Sequence, residues 1–142
     1  MKTRDLFADV PEQRRRLMAK VRPTDSKPEM LVRRAAHELG FRYRLHVRTL
    51  PGTPDLVFPR LRKVVFVHGC FWHRHPGCIR TTTPKAHAEY WQQKFDDNVR
   101  RDEVSQSRLE ALGWTVLVIW ECDTNDQAGL ASRLNEFLSE NQ

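Results

Sequence analysis

Between residues 68 and 78 the chain reads His68-Gly69-Cys70-Phe71-Trp72-His73-Arg74-His75-Pro76-Gly77-Cys78, and one further cysteine, Cys122, lies well downstream. Cys70, His75, Cys78 and Cys122 supply three thiols and one imidazole, the Cys3His set that closes a tetrahedral structural zinc site. The chain has only these 3 cysteines, an odd count that argues against a disulfide framework. His73 competes with His75 as the nitrogen ligand, and three unligated core cysteines are the alternative to any metal at all.

Other residues offer oxygen or stacking chemistry. Asp55 follows Thr53-Pro54 at the start of a strand, where a carboxylate can protrude from the sheet margin and hold magnesium, although a Pro-Asp pair also serves an ordinary turn. Trp91, Lys94, Asn98 and Asp102 fall at i, i+3, i+7 and i+11 and line one helix face, either as a working surface or as a solvated one. Glu29 completes a Ser26-x-x-Glu29 capping box, which already gives its carboxylate a role at a helix start. Phe71 and Trp72 can pack the sheet or stack on bases; adjacent aromatics in an irregular loop do not easily both point inward, which raises the nucleic-acid reading, and Trp91 is similarly ambiguous.

The elements that must position these groups follow from the hydrophobic pattern. Pro11 to Val21 reads as a short basic helix in an amino-terminal arm over residues 1–22, with Leu17, Met18 and Val21 apolar. A second helix opens at Ser26 and stops at Gly40, with Leu31, Ala35 and Leu39 as its buried stripe. Strands are expected at Phe41 to Val47, Asp55 to Phe58 and Lys63 to His68, the last a continuous buried run. A long helix from Lys85 to Leu112 through Trp91, Phe95, Val99 and Leu109, a strand from Trp114 to Trp120 and a helix from Gln127 to Leu138 complete a mixed α/β fold with its sheet between helices.

At 142 residues, 39% hydrophobic and 30% charged, one domain over 1–142 is expected. No apolar run approaches the ~20 residues that span a bilayer, and no signal-peptide pattern opens the chain, so a cytoplasmic protein without a membrane partner is expected. The net charge of +6 is lopsided: residues 1–62 carry 15 Lys/Arg against 7 Asp/Glu, whereas residues 63–142 carry 9 against 11. The basic footprint in the first half suits a polyanionic partner.

The strings Leu50-Pro51-Gly52-Thr53-Pro54-Asp55, Val67 to Cys78, Trp91 to Asp102 and Gly113 to Cys122 together resemble the very short patch repair (Vsr) DNA mismatch endonucleases. The resemblance implies a restriction-endonuclease-like fold and a magnesium-dependent enzyme. Such an enzyme nicks one strand of double-stranded DNA 5′ to the thymine of a T:G mismatch left by 5-methylcytosine deamination, and yields a 5′-phosphate and a 3′-hydroxyl. It implies a catalytic set of Asp55, His73, Asp102, Glu29 and His68, with magnesium on Asp55 and on the backbone carbonyl of Val67. It also implies zinc on Cys70, His75, Cys78 and Cys122, wedge aromatics at Phe71, Trp72 and Trp91, arm contacts from Met18 and Val21, and contacts around the mismatch from Lys94 and Asn98. Two departures stand out: Pro76-Gly77 lengthens the loop between ligands, and Val67 replaces a frequent threonine, which keeps the carbonyl and loses only a hydroxyl. The wider fold's catalytic lysine has no counterpart, since residues 66–68 read Phe-Val-His.

Phosphodiester hydrolysis needs an activated water and a cation to offset developing charge. Histidine titrates in the physiological range, so His73 is expected to accept the proton, Asp102 to orient its ring and His68 to meet a phosphate or a metal-bound water. Monomeric action is expected, because one strand is cut. A restriction or homing-type nuclease of the same fold and a zinc-stabilised DNA-binding module without catalysis are the alternatives.

Overall fold

The computed structural model describes residues 26–140. The expected arm, with its helix at Pro11 to Val21 and the residues Met18 and Val21, lies outside them.

Helix α1 (Lys27–Glu38) starts where Ser26 Oγ accepts the Glu29 N–H at 3.4 Å, with Pro28 in its first turn, and it stops at Leu39 before Gly40 in left-handed backbone. Only half of the expected capping box forms, because the Glu29 carboxylate turns away from the helix start and into the protein. The buried stripe is Glu29, Val32 and Ala36, one residue on from the expected Leu31, Ala35 and Leu39. Ala35 and Leu39 flank it.

A four-stranded sheet follows in the order β1-β2-β3-β4, formed by Arg44–Leu45, Leu56–Phe58, Lys63–His68 and Thr115–Trp120. The first three strands are antiparallel neighbours, and β4 runs parallel to β3, so a crossover is required between them. Helix α2 (Ala88–Ala111) makes it. It begins three residues after the expected Lys85, beyond Pro84 and after His87, whose φ of 58° is not helical. The expected strand from Phe41 to Val47 shrinks to two exposed residues, Arg44 and Leu45, and His46, at φ 46°, ends it on the downstream side by leaving extended backbone. After β4 a 3-10 turn (Glu121–Asn125) carries Cys122 just beyond the strand, and α3 (Gln127–Ser139) closes the chain.

Strand alternation sends side chains to two faces. Leu56, Phe58, Val65 and Ile119 pack under α1 and α3 with Val32, Ala36, Leu130, Leu134 and Leu138. Val57, Val64 and Phe66 pack under α2 with Leu109 and Trp114. The sheet therefore lies between helices, as the sequence pattern requires. Among the described residues no helix is long and apolar enough to cross a membrane.

The turn that leads to Asp55 is pressed onto α2. Thr53 N–H closes it on Leu50 O at 3.1 Å, and Gly52 has φ 75°. A Cβ at Gly52 would stand 2.7 Å from Ser105 Cβ, a separation real side chains do not show. Gly52→Ala is therefore expected to cost about 1–3 kcal/mol through clash and left-handed strain together. A Gly52→Ala/Ser105→Gly double variant should recover only the clash. Urea denaturation of the two variants checks this, and full recovery in the double variant contradicts it.

Candidate active site

Asp55 sits where the β2–β3 ladder runs out. Leu56 still pairs with Val65, but two residues beyond Val65 the Val67 N–H donates to Asp55 Oδ2 at 2.7 Å instead of to a strand carbonyl. Burial pushes the Asp55 carboxyl up to about 6; the Val67 N–H opposes that shift and the Glu29 carboxylate adds to it. Glu29 itself is only 2% exposed. Its Oε2 lies 2.7 Å from His46 Nε2 and also takes a contact from the Arg33 guanidinium. Glu29, His46 and Asp55 each place a ligand atom within 4.8 Å of the others. Two partly compensated carboxylates of this kind form a donor set that fits a divalent cation, whose charge would reverse the effect of burial.

A second group stands across the same cleft. His73 Nδ1 lies 2.7 Å from Asp102 Oδ2, and the carboxylate, having no proton to give, accepts the Nδ1–H. This leaves Nε2 as the ring's remaining acceptor. The His73 ring stacks on His68 at 3.9 Å with planes 8° apart. Burial, with a smaller contribution from His73, pulls His68 down to about 4. His46, Asp55, Val67, His68, His73 and Asp102 all line one cleft of about 500 Å³.

The thiols gather on the far side of these histidines. Cys70, His75, Cys78 and Cys122 have ligand atoms all within 4.8 Å of one another. His75 Nδ1 is 3.6 Å from Cys70 Sγ and 3.4 Å from Cys122 Sγ. Bond lengths to zinc put a sulfur and a nitrogen about 3.5 Å apart on a tetrahedral ion, so the cluster already has the dimensions of a metal knot. His73 is not part of it. Arg74 separates the two histidines with a φ of 56°, which breaks strand-like alternation and turns His73 to Asp102 and His75 to the thiols. The Arg74 side chain is held by Phe71 O, Thr82 O, Thr83 Oγ1 and the face of Phe95 at 3.8 Å. His75 stacks on Trp120 at 4.3 Å, and Trp120 meets His68 edge-on at 5.3 Å.

The aromatic residues form a cluster of their own. Phe71 and Trp72 both turn toward α2, although adjacent aromatics in an irregular loop were not expected to do so easily. Phe71 meets Phe95 at 5.2 Å and Trp72 meets Trp91 at 6.0 Å. Both loop residues stay partly exposed, whereas Trp91 is 2% exposed and serves as their backing. Asn98 Nδ2 donates to Trp72 O at 3.2 Å, and Lys94 is half-buried one turn earlier on α2. The expected helix face therefore turns toward the loop. Sequence reasoning passed over His46, Arg48 and Arg101, which also line the cleft. The general basicity of the first half hints at Arg48, but periodicity and spacing give no sign of the other two.

A family model described as DNA mismatch endonuclease Vsr matches residues 5–79. The type II nicking enzyme V.XorIIP of Xanthomonas oryzae pv. oryzae is 48% identical over 128 residues, covering 90% of this chain and 93% of that protein. The DNA mismatch endonuclease Vsr of Escherichia coli K12 is 42% identical over 105 residues, covering 70% of this chain and 66% of that protein. Among solved structures, the catalytic domain of homing endonuclease I-Bth0305I shares the fold at a TM-score of 0.57 and 19% identity, over 80% of this chain and 94% of that one.

The buried carboxyl has a measurable cost. Its folded value of about 6 lies above the ordinary 3.8, so the folded protein holds this proton more tightly and stability falls as pH rises between those values. His68, pulled from 6.5 to about 4, works the other way and costs stability as pH falls through that window. Asp55→Asn removes only the first effect. In zinc-loaded protein without added magnesium it is expected to gain about 1–3 kcal/mol over wild type at pH 7.5 and clearly less at pH 4.5. Urea denaturation at the two pH values decides, and an equal difference at both contradicts the assignment.

Proposed function

The chain belongs to the Vsr family of DNA endonucleases, and from that premise we propose that it is a magnesium-dependent mismatch endonuclease. It nicks one strand 5′ to the thymine of a T:G pair formed by 5-methylcytosine deamination, and it leaves a 5′-phosphate and a 3′-hydroxyl. It works as a monomer, in the cytoplasm. The observation that carries the reading is the convergence of the Asp55 carboxylate and the His73 imidazole on a single cleft.

Asp55, with the Val67 carbonyl beside it, would hold the magnesium ion, which when bound supplies positive charge against the developing phosphorane. The rest of the chemistry falls to the protein's own groups. His73 Nε2 takes the proton of the attacking water, because Asp102 occupies Nδ1–H, fixes the tautomer and stabilises the imidazolium that forms. His68, kept neutral by burial, meets the phosphate as a hydrogen-bond donor. Glu29 backs Asp55 from the first turn of α1. Cys70, His75, Cys78 and Cys122 would hold zinc, which when bound would tie the loop to the end of β4 and so restrain His73.

Recognition combines charge and insertion. The basic residues of the first half set affinity and its salt dependence, and Met18 and Val21 approach the lesion from the opposite groove. Phe71 and Trp72, with Trp91 behind them, exploit the lower cost of unstacking a mismatched pair, while Lys94 and Asn98 hold positions around it. A second reading has one support: the 48% identical relative is named a type II nicking enzyme, a description that carries no mismatch. Nicking of a T:G duplex library with randomised flanks, beside its matched counterpart and with or without magnesium, separates the two. Equal cutting of matched DNA would favour the restriction-type reading.

His73→Ala is expected to lower the nicking rate by about 10²–10⁴-fold while zinc content and T:G duplex binding persist. Metal analysis with a binding assay checks this, and loss of zinc would make His73 a ligand instead. Trp72→Ala is expected to lower the ratio of T:G to matched-duplex affinity more than it lowers matched-duplex affinity itself. Fluorescence anisotropy on both duplexes measures it; an unchanged ratio rules out the wedge.

A further inference from the structure

His46 belongs to the carboxylate cluster, yet the chemistry above gives it nothing to do. Its Nε2 stands 2.7 Å from Glu29 Oε2 and 3.9 Å from Asp55 Oδ1, and its side chain is 19% exposed on the cleft wall. The backbone places it there. Leu45 pairs with Leu56, the neighbour of Asp55, and the His46 N–H donates to Asp55 O at 3.2 Å. The φ of 46° then turns His46 out of the strand. A left-handed non-glycine residue is costly and tends to persist at working sites.

The three side chains also differ in what they can hold. Octahedral coordination at bond lengths near 2.1 Å puts neighbouring donors about 3.0 Å apart and opposite ones about 4.2 Å apart. The two separations from His46 Nε2 approximate one of each kind. The Arg33 guanidinium meets the same Glu29 oxygen, Oε2, that faces His46, and so holds the carboxylate next to the imidazole. Magnesium favours all-oxygen surroundings, whereas an imidazole among carboxylates favours first-row transition ions along the Irving–Williams order.

We propose that His46 is a nitrogen ligand of the cation site it forms with Asp55 and Glu29, so that the site binds Mn²⁺ or Co²⁺ in preference to Mg²⁺. The proposal rests on the reading of Asp55 as the cation carboxylate. Magnesium remains usable, and manganese binds more tightly.

The test uses full-length protein carrying one zinc per chain, so that the thiols are occupied. Free Mn²⁺ is followed by its X-band EPR signal, and Mg²⁺ affinity is obtained by competition. His46→Gln keeps a hydrogen-bond donor toward Glu29 and is expected to weaken Mn²⁺ binding about tenfold or more while Mg²⁺ affinity changes far less. Electron spin-echo modulation of the Mn²⁺-loaded wild type should show an imidazole nitrogen that persists in His73→Ala and disappears in His46→Gln. An unchanged Mn²⁺/Mg²⁺ ratio in His46→Gln overturns the proposal. So does a wild-type spectrum with no nitrogen coupling, a readout that holds even if the variant fails to fold. Asp55→Ala separates the two levels: loss of both ions there with no effect of His46→Gln defeats only the role of His46, whereas retention of both ions defeats the cation site itself.

Discussion

A carboxylate at the end of a buried hydrogen-bond ladder accepts the backbone N–H that the next strand residue would otherwise have taken, and the rest of the site is arranged around that contact. Asp55 Oδ2 receives the Val67 N–H at 2.7 Å from a strand whose other neighbour is β4. The carboxylate is therefore as well fixed as the sheet. A single backbone donor does not offset the burial of a charge, and Glu29 makes the deficit larger. The margin of the sheet is thus strained in charge, and in backbone as well: His46, Gly52 and Thr53 all adopt positive φ within the segment that leads into Asp55. A fold tolerates such concentrated cost where the rest of the core holds firm, and here β2 and β3 are buried on both faces.

The parallel pairing of β3 with β4 extends this order to the imidazole side of the cleft. The register ends with His68 opposite Trp120, so the last residues of two paired strands stand side by side. Trp120 touches His68 with one edge and lies flat against His75, and His68 in turn stacks on His73. A continuous run of ring contacts joins the thiol cluster to the acceptor in the cleft. The loop from Gly69 to Cys78 has little regular structure of its own. Fixing one of its histidines among three sulfurs therefore restricts the other, two residues earlier, to a narrow range of positions.

Much of this was legible in the sequence because it is carried by strong local signals. The apolar run Lys63–His68, the Ser26 cap, the stop at Gly113 and the order of helices and strands follow from periodicity and capping, and the Cys3His set from ligand type. The failures are tertiary. Glu29 looked like half of a capping box because its spacing from Ser26 is right; only the return of the chain at His46 gives its carboxylate a different partner. Phe71 and Trp72 were not expected to point inward together easily, because the loop sequence alone does not show that the first turns of α2 supply Tyr90, Trp91 and Phe95 as a wall that receives both. The strand expected at Phe41 to Val47 ends early at the left-handed His46, a dihedral angle that side-chain alternation does not encode.

On the proposed function, bond breaking and substrate choice fall to different elements. Asp55 and His68 stand on or beside the central strands, while the aromatic cluster and Lys94 belong to the loop and to the first half of α2. The two sets meet through Asp102 and Asn98, one turn apart on the same helix face: Asp102 engages His73, and Asn98 engages the backbone of Trp72. On the proposed function, a displacement of the Phe71–Trp72 segment would pass through this pair of contacts to the His73 ring, only one residue farther along the loop. Coupling of this kind needs no long-range path, because His73 and the aromatic residues share one short stretch of chain and one helix. On the proposed function, it is a physical route by which seating an unstacked base would align His73, so that duplexes that fail to seat would be bound without being cut.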